Sequence, residues 1–321
     1  MRSPVAILLL VLLGIAAPDV FAQSYPARAI RLVVPSSPGG GSDIVGRILA
    51  QKLSEQMGQQ VVVDNRAGAG TVIGNDAVAK SAPDGYTLLL GLSTLAINPS
   101  MFAKLPYDAL RDFAPISQAV SSPNILTVHP SVPAKTVKEF IALAKAKPGS
   151  ITFGSAGQGT SPHLSGELLK VLARIDIVHV PFKGSGQSVI SLLAGEISAN
   201  FASLPTAIPY IKAGRLRGLG VTTLKRAQAL SDVPSIAEAG VPGYEATQWF
   251  GLLAPAGTPR AIIDRLYQES SRAVRSASVK ERMVAEGLEV VGGTPEEFAS
   301  YIKSETDKWT QVIKAAGIKP Q

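Results

Sequence analysis

Apolar positions change period along the chain, and each change marks an element. Ile30–Val34 is a short apolar run rich in β-branched residues, which predicts a buried strand. Over 44–57 the period becomes helical, with Ile44, Ile48, Leu49, Leu53 and Met57 on one face. Between them lies a tight turn, Pro38-Gly39-Gly40-Gly41-Ser42-Asp43, with Ser42 or Asp43 placed as helix cap. The order then repeats. A strand at 60–65 leads through Ala67-Gly68-Ala69-Gly70 into a helix near 72–80. After the Pro83-Asp84-Gly85 turn comes a strand at 86–91 that ends in Ser93-Thr94.

A second series begins near Asn124. Thr136 caps an amphipathic helix to Lys145, and Pro148-Gly149 stops it. A strand at 151–154 enters a loop at 155–161, followed by a helix over 162–173. A strand at 177–180 ends in Phe182-Lys183-Gly184-Ser185-Gly186 before another helix, and strands follow at 197–201 and 216–221. The remainder reads as one strand-like run at 249–254 and helices near 259–276, 279–286 and 295–314. Strands alternating with helices predict an α/β fold with a parallel sheet and right-handed crossovers. Ligands of such sheets sit at the carboxyl ends of the strands. The glycine turns after 30–34, 151–154 and 177–180 all lie there, each opening a helix whose first N–H groups and dipole suit an anion.

Sharper nucleotide signatures are missing. Counting from Gly39, the position that a dinucleotide fingerprint needs as its third glycine is Ile44, and no Gly-Lys-Ser/Thr occurs. No cofactor is expected. The chain has no cysteine, which excludes disulfides, thiol catalysis and a lipoprotein anchor. Its three histidines, His129, His163 and His179, have no metal-binding spacing. The formal charge of +7 comes from singly scattered residues, which argues against a nucleic-acid partner. Residues 1–22 read as an export signal: Arg2, then an apolar core over Val5–Ala17, then Val20-Phe21-Ala22, with cleavage after Ala22. The core is too short for a comfortable membrane span.

Several ordered segments resemble the Bug-type, TctC-like solute-binding proteins of tripartite tricarboxylate transporters. They are Pro38–Asp43 with Arg47, Val63–Ala69, Pro83–Leu88, Ile97-Asn98-Pro99, Ser155–Thr160 with His163, Val180–Gly184, Val233–Gly240 and Ala254–Pro259. The resemblance implies a two-domain periplasmic binding protein of the Venus-flytrap type (type II), not an enzyme. It implies a small carboxylate in the cleft and delivery to inner-membrane transporter subunits. The chain would cross near 123 and 246, giving one domain from 23–123 plus 247–321 and another from 124–246. Monomer is the default expectation.

Carried over residue by residue, Ser37, Pro38, Gly39, Gly40, Gly41 and Asp43 would hold one carboxylate through backbone N–H groups, with Ser93 and Thr94 completing that wall. Ala156, Gly157, Gly159, Thr160, Phe182, Lys183 and Gly184 would close on the other end. His163 either lines the cleft or packs at its helix start. Lys183 is a ligand contact or a solvated loop residue, and Asp43 a contact or a helix cap. Relatives often have Tyr at Phe182 and Asp at Ala202, here followed by Ser203; the missing acid disfavours amino-acid ligands. A sensor feeding a membrane signalling partner is an alternative to transport. A secreted hydrolase is a remote one, because no Gly-x-Ser-x-Gly elbow is present.

Overall fold

A computed structural model describes residues 25–315 and 317–320. The expected signal segment, 1–22, lies outside the described residues. The first strands are β1 (Ile30–Val34), β2 (Val61–Asn65), β3 (Thr87–Leu92), β4 (Phe113–Val128) and β5 (Thr152–Ser155). The rest are β6 (Val178–Pro181), β7 (Ala199–Ser203), β8 (Arg217–Val221), β9 (Thr247–Pro255) and β10 (Glu289–Val290). The helices are α1 (Gly41–Met57), α2 (Val72–Ala79), α3 (Thr94–Met101), α4 (Val137–Ala146) and α5 (Ser161–Ala173). They continue with α6 (Ser185–Leu193), α7 (Leu204–Lys212), α8 (Arg260–Arg275), α9 (Ala277–Ala285) and α10 (Pro295–Ala315).

Strands follow the order β2-β1-β3-β9-β4-β7-β5-β6, with β8 and β10 also paired to β4. The sheet is mixed, where the periodicity predicts a parallel one. β1 runs parallel to β2 and β3, and β5 parallel to β6 and β7. β4 and β9 are antiparallel to each other and to β7 and β3. The reason lies in the chain path. These two strands carry the chain out of one half and back again, so neither is the second strand of a βαβ unit. β4 pairs with β9 as far as Pro123↔Thr247, and from Asn124 it pairs with β7 and β8 instead.

Each half has its own apolar layers. In the first, Ile30, Leu32 and Val34 point to one face, against Ile48, Leu49 and Leu53 of α1. Val33 points to the other, with Leu89, Trp249 and Phe298. Both faces of β1 are covered, so the run is apolar throughout instead of alternating. Burying a side chain such as Leu32 is worth about 1.5–3 kcal/mol. In the second half Leu126, Phe153 and Phe201 pack on Phe140 and Tyr244, and Ile125, Ala202 and Val221 cover the opposite face. A smaller cluster joins Ile97 and Met101 of α3 to Leu164 of α5 and Trp309 of α10. The carboxyl ends of β1, β3, β5 and β6 are thereby turned toward one another.

Candidate functional site

The turn after β1 is built by a carboxylate that faces away from the cleft. Asp43 Oδ2 accepts from the Gly39 N–H at 2.9 Å and from Arg47 Nε at 3.0 Å, and its Oδ1 accepts from Asn65 Nδ2 at 3.0 Å. Burial opposes the charge on Asp43, but the hydrogen bonds from Arg47, Gly39 and Asn65 outweigh it and hold the carboxyl below its ordinary range. Gly39 takes a φ of 77°, which a glycine adopts freely. Gly40 is the N-cap of α1 and supplies no side-chain bond to the first turn. The first N–H groups of a 17-residue helix therefore open on the cleft. Ser36 and Ser42 share a short hydroxyl contact beside them.

Across the cleft the turn after β5 is braced by neutral groups. Ser155 Oγ accepts the Gly157 N–H at 3.1 Å and lies 2.6 Å from His179 Nε2. The Gly159 N–H donates to His163 Nδ1 at 3.2 Å, and Thr160 Oγ1 donates to Gly157 O at 2.6 Å. The two imidazoles stack with centroids 4.1 Å apart. Burial, then the neighbouring charge of His179 and Lys170, drives His163 down to about 3; burial, then Lys170, drives His179 down to about 4. Both rings are neutral at pH 7. α6 opens a second helix N-terminus on this side, with Gly184 at its N-cap and no capping side chain.

The halves touch. Ser37 Oγ donates to Lys183 O at 3.0 Å, and Ser203 Oγ donates to Gln248 Oε1 at 2.5 Å. They enclose a cavity of about 540 Å³. Gly40, Gly41, Thr94, Ala156, Gly157, Thr160, Phe182, Lys183, Gly184 and Ser203 line it, so ten of the residues singled out by sequence come together on one surface. The others are not among its lining residues. Pro38 and Gly39 are exposed at the tip of the turn. Ser37 spans the halves and Asp43 braces its own loop. Ser93 is buried at the end of β3, with its hydroxyl unpartnered. Gly159 faces Met101 and Asn98, His163 packs on His179, and Ala202 is buried in the apolar layer.

Other wall residues carry no signal in the local sequence pattern. Gln187 lines the wall, and its Oε1 accepts from the Lys183 N–H at 3.2 Å. Gln158 and Gln248 line the cavity too. So does the segment 68–71, whose residues all have positive φ: 136°, 45°, 59° and 81°. Thr71, β-branched and left-handed, costs about 1–3 kcal/mol of strain. Its hydroxyl donates to Thr94 Oγ1 at 2.8 Å and accepts from Asn75 Nδ2 at 3.3 Å. The Ala67–Gly70 composition marks a turn, but a non-glycine left-handed residue leaves no signal in sequence. Among the described lining residues there is no Asp or Glu, and Lys183 is the one charged side chain. Helix N-termini, hydroxyls and amides make a surface rich in donors, with apolar patches at Leu92, Pro162 and Phe182.

A donor-lined cleft of this kind between two α/β halves is the architecture of the solute-binding receptors that the chain matches. Residues 45–318 match the model of the tripartite tricarboxylate transporter family receptor, and the chain belongs to that family. The family is one of solute-binding receptors, not enzymes. Protein BugT of Bordetella pertussis is 40% identical over 308 residues, 95% of this chain and 94% of that protein. The structure of Rpa4515 of R. palustris with adipate is 37% identical, with a TM-score of 0.90 over 92% of this chain and all of the other (100%). The periplasmic binding protein BugD is 31% identical, with a TM-score of 0.89 over 92% of this chain and 100% of that one.

Proposed function

We propose that the protein captures a small organic carboxylate between two lobes, 23–123 plus 247–321 and 124–246, and delivers it to inner-membrane subunits of a tripartite tricarboxylate transporter. One observation carries the reading: the N-termini of α1 and α6 open on a single cavity whose described lining residues include no carboxylate. A ligand carboxylate would satisfy those N–H groups directly or through bridging water. Gly40, Gly41 and Ser42 would hold it from one lobe, and Gly184, Ser185 and Gln187 from the other. Ser37, Asp43, Gly159 and His163 would shape the turns without touching it. An ammonium group has no acidic partner among these wall residues, so amino acids are disfavoured. The change of pairing partner along β4 at Pro123 and Asn124 supports the lobe boundaries. Adipate in a family relative supports the ligand class, and the family's transporter supports the partner. The apolar segment at 1–22 supports export to the periplasm with cleavage after Ala22.

A thermal-shift screen of residues 23–321 tests the reading. The panel holds mono-, di-, tri- and aromatic carboxylates and amino acids. Binding to the native state raises the melting temperature as ligand concentration rises. Carboxylates are expected to raise it and zwitterionic amino acids to leave it unchanged. A shift with amino acids alone would overturn the ligand class.

A further inference from the structure

Most glycines near the cleft are demanded by their own backbone. Gly39, Gly70, Gly159 and Gly184 have φ of 77°, 59°, 72° and 155°. Gly186 is different. It sits in the first turn of α6, in helical backbone that any residue adopts, where alanine favours the helix by about 0.5–1 kcal/mol over glycine. It does not line the cavity. What it meets is the other half. A Cβ placed there would stand 3.2 Å from Gly39 O, 3.3 Å from Gly39 C and 3.6 Å from Gly40 N. Conversely, a Cβ on Gly40 would stand 4.0 Å from the backbone nitrogens of Ser185 and Gly186. The first turns of α1 and α6 therefore meet backbone to backbone.

We propose that Gly186 is a positioning residue for ligand capture: it sets how closely the α1 and α6 N-termini approach, and hence the affinity, without touching the ligand. This rests on the carboxylate reading. Two helix N-termini carry like partial charges, so bringing them together around an empty cavity is unfavourable. An anion between them reverses the sign of that term. The gain is confined to the first turn of each helix, which is where this seam lies. A side chain at 186 meets the opposite half first, since the three atoms nearest its Cβ all belong to Gly39 and Gly40, and so it props the seam apart.

The test is Gly186→Ala and Gly186→Leu, both good helix formers. Three quantities are measured beside wild type: the melting temperature without ligand, adipate affinity by calorimetry, and adipate-induced compaction by small-angle X-ray scattering. Expected are an unchanged or raised melting temperature in both variants. Affinity should fall about threefold or more for alanine and about thirtyfold for leucine, with compaction reduced in the same order. Affinities within twofold of wild type overturn the proposal. A lowered ligand-free melting temperature also overturns it, since the seam would then be holding the empty protein together instead of setting affinity. If wild type binds neither adipate nor any other carboxylate of the panel, the carboxylate reading falls and takes this one with it. If wild type binds and the variants match it, this inference alone falls.

Discussion

The two glycine turns that face each other across the cavity do the same job with opposite chemistry. The turn before α1 is braced by an ion pair: Asp43 holds the Gly39 N–H and Asn65, and Arg47 holds Asp43. The turn before α5 is braced by neutral imidazoles, His163 accepting from Gly159 and His179 bonded to Ser155. Charge serves in the first because Arg47 is half-exposed and stays hydrated. It is disfavoured in the second, where His163 is buried and His179 half-buried, the rings stack on each other, and Glu167, 3.8 Å from His163 Nε2, is already paired with Lys170 at 3.0 Å. Burial is costly for a charge whose one nearby carboxylate is already taken, so the rings give up their protons. One brace needs its charge and the other must stay without it, and acid separates them.

The largest expected effect is therefore a pH dependence confined to one side. In the unfolded chain the histidines titrate near 6.5, and in the fold at about 3 and about 4. Between those limits the unfolded chain binds more protons than the native one, so stability falls as pH falls. His163 and His179 each contribute up to about 1.4 kcal/mol per pH unit inside that window. Asp43, with its folded pKa lowered, contributes above its unfolded value near 4 and is lost only below it. Urea melts of the ligand-free protein at pH 7, 5.5 and 4.5 should show a steady loss, and His179→Asn should flatten it. An equal slope in wild type and variant would sink the assignment of that brace.

Next in size is the charged brace at neutral pH. Asp43→Ala leaves the Gly39 N–H and the Asn65 amide without an acceptor and Arg47 without its ion-pair partner. The expected cost is about 2–3 kcal/mol in a urea melt, together with weaker carboxylate binding. Asp43→Asn keeps an acceptor oxygen and should fall between the two. If the alanine variant is as stable as wild type, the turn holds its shape without the carboxylate.

The same contrast marks how much was legible in the sequence. The turn before α1 announced itself, because Gly39–Gly41, Asp43 and the i,i+4 Arg47 are local in sequence. The β1, α1, β3, α4 and α5 elements follow from apolar period for the same reason, and Thr136 caps α4 as expected, whereas the cap of α1 is Gly40 instead of Ser42 or Asp43. α3 was hidden by Pro99 and α7 by Pro205 and Pro209, which read as breakers although the helices carry them. β4 is not legible as a strand, because Pro115 and Pro123 interrupt it and its apolar positions scarcely alternate; only the start of a second series near Asn124 shows. In the site, Gln248 belongs to the wall only because β9 returns beside β4, a relation between residues far apart in the chain. His179 joins His163 only through the pairing of β5 with β6. Local chemistry was readable; chemistry assembled by strand pairing was not.

The smallest effect sharpens the comparison most. Arg47 lies 56% exposed by its side chain, and its guanidinium reaches Asp43 at 3.0 Å and Asn65 Oδ1 at 3.4 Å. An exposed partner of this kind is worth little, because water screens the pair and the long side chain loses freedom in making it. Arg47→Gln should thus cost less than about 1 kcal/mol, and the difference from wild type should shrink further in molar salt. Asp43 keeps its bonds to Gly39 and Asn65 in that variant, so carboxylate affinity should stay close to wild type. A loss above about 2 kcal/mol that persists in molar salt would mean that the ion pair itself carries the turn. The brace before α1 would then be a charged core, and the division between a hydrated charged turn and a buried neutral one would fail.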